Sequence, residues 1–207
     1  MNTHSSTVGV LLAVALLSGC ALTSDRIEIQ YKQQQGVTQI PDASAVAVAV
    51  EVVDQRQDKS KVSSKKNAFG MELAPIVATE EVSIVVRRAI EKELQSRGFQ
   101  LASQADVVHV DAGLTRFYND HKVGFFAGDA VADLNLSVTV RSTAGAIVFS
   151  RQIVAQGVEP NTQLMTGENA RLALNRALEN GIKLLFEDRS FISALLTAKS
   201  KPNSNPM

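Results

Sequence analysis

Few side chains in this chain have the type and spacing that chemistry demands. His109 and Asp111 stand two residues apart, so on one strand they share a face and could serve as an acid/base pair or as two metal ligands. No third partner accompanies them, and Thr115 adds a polar group to the same face. A solvent-facing strand surface is the simpler expectation. His121 follows Asp120 in an expected loop. Asp54, Arg56 and Asp58 alternate where a strand-like run ends, so one guanidinium could bridge two carboxylates. Asp54 and Arg56 thus form either a polar binding site at the C-terminal end of a strand, where open α/β sheets often place ligands, or a local ion-pair cluster that fixes a loop. Phe125 and Phe126 sit side by side in the stretch Val123 to Gly128, flanked by glycines. Exposed, such rings mark contact with a partner or a membrane; folded back, they join the core.

What is missing is equally specific. A serine nucleophile needs a base, and the chain has 3 histidines. There is no Gly-rich phosphate loop, no H-E-x-x-H and no acidic calcium loop. We expect no catalytic residue, no metal ligand set and no cofactor. The 207 residues carry 21 basic and 21 acidic side chains, no Trp and 2 Tyr. A balanced charge and so few aromatics argue against nucleic acid as a partner. With 45% hydrophobic residues the chain is not wholly disordered. Its one cysteine, Cys20, can make neither an internal disulfide framework nor a Cys-rich metal site.

Cys20 follows an apolar run. Val8 to Leu17 reads VGVLLAVALL, too short for a transmembrane helix of about 20 residues but suited to the apolar region of a signal peptide. Leu17-Ser18-Gly19-Cys20 comes directly after it. This box resembles the lipobox of bacterial lipoproteins, in which a peptidase cuts before the cysteine and acyl chains, palmitate among them, are attached to it. The resemblance makes residues 1–19 a signal peptide and Cys20 the lipidation site, through which the membrane becomes a partner. Ala21, rather than Asp, follows the cysteine. In Gram-negative lipoproteins that choice implies the outer membrane, with the body facing the periplasm.

The remaining residues read as elements. Residues 20–44 look like a lipidated N-terminus and tether, within which Arg26 to Tyr31 could dock as a short strand. Ala45 to Val53 alternates Val with Ala and predicts a central strand. Asp54 to Phe69, with Lys59, Lys61, Lys65 and Lys66, predicts an exposed loop, or a basic patch for anionic lipid or glycan. Thr79 to Arg97 predicts a helix capped by Thr79 and stopped at Gly98, with Val82, Val86, Ala89, Ile90 and Leu94 as its stripe. Three strands follow, over residues 106–118, 130–141 and 146–157, the last placing Ile147, Phe149 and Ile153 on one side. Ser142 to Gly145 supplies a hairpin turn. A second helix spans Thr166 to Glu187, with further turns after Asp188-Arg189-Ser190, and residues 198–207 read as a disordered tail.

These elements predict an α+β fold: one mixed, mainly antiparallel sheet of about four strands, two long helices on one face, in the order β-α-β-β-β-α, over residues 45–197. The layout resembles the YajG-like family of bacterial outer-membrane lipoproteins. The box ending at Cys20, the strand entering Asp54-Gln55-Arg56, the helix ending at Ser96-Arg97-Gly98-Phe99, the meander from Val107 to Gly157 and the last helix with Leu184, Leu185, Asp188 and Phe191 carry the likeness. It implies a location and a fold, and no established activity. The functional expectation is a non-enzymatic envelope lipoprotein that binds a protein partner or envelope component. A lipoprotein binding a small ligand, glycan or lipid is the alternative.

Overall fold

The computed structural model describes residues 22–67, 69–103, 107–122, 128–162 and 164–199. Among these, eight strands and three α-helices form two mixed sheets. The strands are β1 (Asp25–Ile27), β2 (Ala47–Asp54), β3 (Ser63–Lys66), β4 (Glu72–Ala78), β5 (Gln100–Leu101), β6 (Val108–Lys122), β7 (Gly128–Arg141) and β8 (Ile147–Thr162). The helices are α1 (Val82–Ser96), α2 (Gly167–Glu187) and α3 (Arg189–Thr197).

The larger sheet has the order β5-β2-β6-β7-β8. Strand β2 runs parallel to both neighbours, the central place its two-sided apolar alternation calls for. The β6-β7-β8 meander is antiparallel. Helices α1 and α2 cover one face, and their stripes merge with Val48, Val110, Leu114, Leu134 and Val138 into one core. The other face carries small polar residues such as Ser137 and Thr139. The turn at Ser142 to Gly145 closes as expected, with Gly145 at φ 83° and its N–H donating to the Ser142 carbonyl at 2.8 Å. Ile147 is mostly exposed, because the register shifts between Val140 and Arg141 at the start of β8.

A register shift between Leu114 and Arg116 interrupts β6. Before it, Val108, Val110, Ala112 and Leu114 face the helices; after it, Phe117, Asn119 and His121 are the buried set. A bulge inserts one unopposed residue and so exchanges the two faces. His121, expected in a loop, is therefore an inward side chain of a strand.

The second sheet, β1-β4-β3, corrects the expectation of a single sheet. Strand β3 lies in the stretch read as an exposed Lys-rich loop. Its Ser63 and Ser64 are buried, and the Asn119 N–H donates to the Val62 carbonyl at 2.8 Å, tying this sheet to β6. Three of the four lysines in that stretch are in ion pairs: Lys61 with Glu72, Lys65 with Asp25 at 2.7 Å, and Lys66 with Asp120 at 2.6 Å.

The N-terminal stretch read as a tether is packed from Asp25 onward. β1 pairs with β4, and Ile27 and Ile29 are buried. Thr79 does not cap α1. Its N–H donates to the Ile27 carbonyl at 2.9 Å, and Glu81 stands at the helix start with no side-chain cap bond. Gly98, at φ 95°, ends the helix as the sequence suggests. Thr166 caps α2 by accepting the Asn169 N–H at 3.3 Å, and Asp188 caps α3 through Ser190 N–H at 2.9 Å. No helix among the described residues is long and apolar enough to cross a membrane.

Candidate functional site

Strand β2 delivers Asp54 and Arg56 to the end of the larger sheet. The Arg56 side chain is buried there, and its donors are committed. Its Nε reaches the two Asp54 oxygens at 3.0 and 3.2 Å, and Nη2 reaches Oδ2 at 2.9 Å. Nη1 donates to the carbonyls of Lys61 and Phe117 at 3.1 and 3.3 Å. The Asp54 carboxylate also accepts the Arg56 backbone N–H at 3.0 Å. Burial opposes ionisation of Asp54, but these bonds and the adjacent guanidinium outweigh it and hold the carboxyl below its usual range. Asp58 does not share the arginine. It closes its own turn on Ser60, accepting N–H at 2.9 Å and Oγ–H at 2.6 Å, and those bonds lower its pKa. The pair Asp54–Arg56 is thus a clamp that fixes the loop after β2 against β6.

The clamp shapes one wall of an open groove of about 710 Å³, between that loop and the turn joining β4 to α1. Val52, Val62, Val77 and Val82 supply its apolar lining. Lys59 and Ser60 stand on the loop side; Thr79, Glu80 and Glu81 stand on the helix side. Glu80 is paired with Arg88. The groove therefore combines a valine lining with a basic and an acidic border, a combination that suits a segment with apolar and charged side chains.

The histidines part company. His109 is exposed on the open face of the sheet, and Asp111 is paired with Arg141 at 2.8 Å, not with His109. His121 is buried beside Asn119, whose Nδ2 lies 3.0 Å from Ser63 Oγ and 3.4 Å from His121 Nε2. The His121 Nδ1 and Asn119 Oδ1 atoms have no hydrogen-bond partner among the described residues. Burial lowers the His121 pKa, although Asp120 acts against it. Among the described residues no His, Cys, Asp and Glu group has metal-site spacing. Cys20, Leu17, Ser18, Gly19, Phe125 and Phe126 lie outside the described residues.

One constellation escaped the sequence reading. Glu93, on α1, is fully buried. Its Oε1 accepts the Tyr31 hydroxyl at 2.7 Å and the Gln34 N–H at 3.0 Å, and its Oε2 is paired with Arg97. Arg97 also donates to Gln34 Oε1 at 3.0 Å and lies 4.4 Å from the centre of the Phe186 ring. Burial and the bond to Glu93 push the Tyr31 hydroxyl pKa far up. The signal was available: Glu93 falls within the apolar stripe of α1 and Arg97 follows four residues later.

Comparison with known proteins agrees with this architecture. A family model described as uncharacterized lipoprotein (Lipoprotein_16) matches residues 33–195. The chain belongs to that family of lipoproteins, in keeping with its YajG-like features. Among curated proteins none matches the sequence. A Xanthomonas campestris protein of the DUF330 family shares the fold, with a TM-score of 0.55 and 12% identity over 86% of this chain and 99% of its own. A minor lipoprotein from Acinetobacter baumannii aligns over 71% of this chain and 94% of its own, at 7% identity and a TM-score of 0.45.

Proposed function

We propose that this is a non-enzymatic lipoprotein of the cell envelope whose body binds a protein partner from the periplasmic side of the outer membrane. Cleavage after Gly19 leaves Cys20 to carry the acyl chains, and several chains on one residue hold a protein firmly where one is marginal. Membership of a lipoprotein family supports the anchor, and Ala21 supports the outer membrane. The groove beside Asp54 and Arg56 carries the binding reading. An extended partner segment alternates its side chains, so it can set apolar residues on the valine lining and charged ones against Lys59 and Glu81. Phe125 and Phe126 offer a second contact. The groove's volume also falls within the roughly 300–1,000 Å³ of small-molecule sites, which favours a glycan or lipid ligand as the second reading.

Photocrosslinking groups placed at Lys59 and at Ser83, across the groove, test this in intact cells. A discrete protein adduct from both, and none from Val154 on β8, is the expected result. No adduct, together with saturable binding of a cell-wall glycan fragment to the purified protein, replaces the partner by a ligand.

A further inference from the structure

The end of the small sheet nearest the N-terminus is apolar and exposed, and this has no use in the groove. Strands β3 and β4 are joined by a tight turn. The Asn67 side chain accepts the N–H groups of Phe69 and Met71, each at 3.0 Å, and the Asn67 N–H donates to the Met71 carbonyl at 3.0 Å. This turn holds Phe69 outward at 89% exposure, the highest of any large apolar residue described, with Met71 at 61%. Leu73, unopposed at the register shift between Lys65 and Lys66 in the β3–β4 ladder, is 37% exposed. Leu22, three residues ahead of β1, which runs parallel to β4 with Asp25 opposite Ile76, is 65% exposed. Lys65, opposite Ala74 in the ladder, donates to the Thr23 carbonyl at 2.9 Å and holds the incoming chain beside this hairpin.

Large apolar side chains exposed together mark a surface that something covers. Its place in the chain says what does. Leu22 is two residues from Cys20, at most about 7 Å of extended chain. If Cys20 is acylated, the acyl chains enter the bilayer beside Phe69, Met71 and Leu73. We propose that this hairpin tip is a second membrane contact, in which Phe69 and Met71 dip into the headgroup region next to the lipid anchor and fix the domain's orientation on the bilayer. The occupant is a lipid surface. The nearby lysines contribute no net attraction for anionic lipid, because Lys61, Lys65 and Lys66 are each paired with a carboxylate. The contact is therefore apolar, and its occupancy does not depend on salt. It rests on the lipidation reading of Cys20.

The chain contains no Trp, so a single indole reports its own surroundings. Phe69→Trp is placed in the mature lipidated protein and reconstituted into vesicles of phosphatidylethanolamine and phosphatidylglycerol. Its emission should shift to the blue and fall at least about twofold when the acyl chains are brominated, as for a ring seated within roughly 5–10 Å of the acyl boundary. The same values should hold at low and high salt. Val154→Trp, on the exposed face of β8, should show neither change. If the protein floats with the vesicles but the indole stays open to aqueous iodide, the hairpin contact is overturned and the anchor stands. If wild type and Cys20→Ala float equally poorly, the lipidation reading itself fails. An indole already shielded before any lipid is added overturns the lipid surface in favour of a second copy of the chain.

Discussion

At the scale of single residues, the Glu93 carboxylate is the most consequential group in the body. It lies out of solvent, and its partners come from α1 and from the chain ahead of β2. A buried pair contributes little net stability when intact, but removing one partner strands the other charge. Glu93→Leu should therefore cost about 3–5 kcal/mol, and Tyr31→Phe, which loses one bond to a charged acceptor, about 1.5–3 kcal/mol. Urea unfolding measures both. The double variant Glu93→Leu/Arg97→Met should be more stable than Glu93→Leu alone, since no charge is left unpaired. His121 yields a prediction of the opposite chemistry. Its folded pKa is lowered by burial, so the unfolded chain takes up the proton first. Stability contributed by neutral His121 is present above about pH 6.5, its ordinary value, and is lost as pH falls from there toward the folded pKa. Thermal melts between pH 7.5 and pH 5.5 should show a fall in Tm that His121→Gln reduces. An equal fall in both proteins would remove His121 as its cause.

At the scale of elements, packing is closest where α2 crosses β8. A Cβ on Gly157 would stand 2.1 Å from the Ala173 carbonyl oxygen and 2.2 Å from the Ala177 nitrogen, and backbone cannot step aside as a side chain can. Gly157→Ala should push the helix off the strand and cost about 1–3 kcal/mol, while Ser150→Ala on the same strand should change little. The elements legible from sequence were those with one clear period. The stripes of α1 and α2 and the inward residues of β7 are buried, and β2 buries Val48 while Val50 and Val52 are partly buried against the core. The small sheet was not legible because its signals are mixed. β3 buries two serines, and β4 contains Pro75, which removes a ladder donor. The bulge in β6 hid Asn119 and His121, since a single inserted residue inverts every later position. At the candidate site, the pairing of Asp54 with Arg56 was visible in their spacing. The opposing wall was not, because Glu80 and Glu81 reach the groove only through the path of β4 into α1.

At the scale of the whole molecule, the body begins earlier than the long central strand. A chain starting at Ala45 lacks β1, Ile27, Ile29 and Tyr31, so it leaves β4 unpaired on one side and Glu93 short of two donors. Such a chain should lose its cooperative unfolding transition, whereas one starting at Leu22 should keep it; circular dichroism against temperature compares them. Identical transitions would mean that the early segment is dispensable. The docking of β1 also sets a distance. With acyl chains on Cys20 as proposed, four residues, 21–24, lie between the lipidated residue and β1, a leash of about five chain steps and at most about 18 Å. A domain on so short a leash searches a plane rather than a volume. Whatever its groove receives must be delivered to the same leaflet, by a protein moving in or along that membrane or by one long enough to cross the compartment itself.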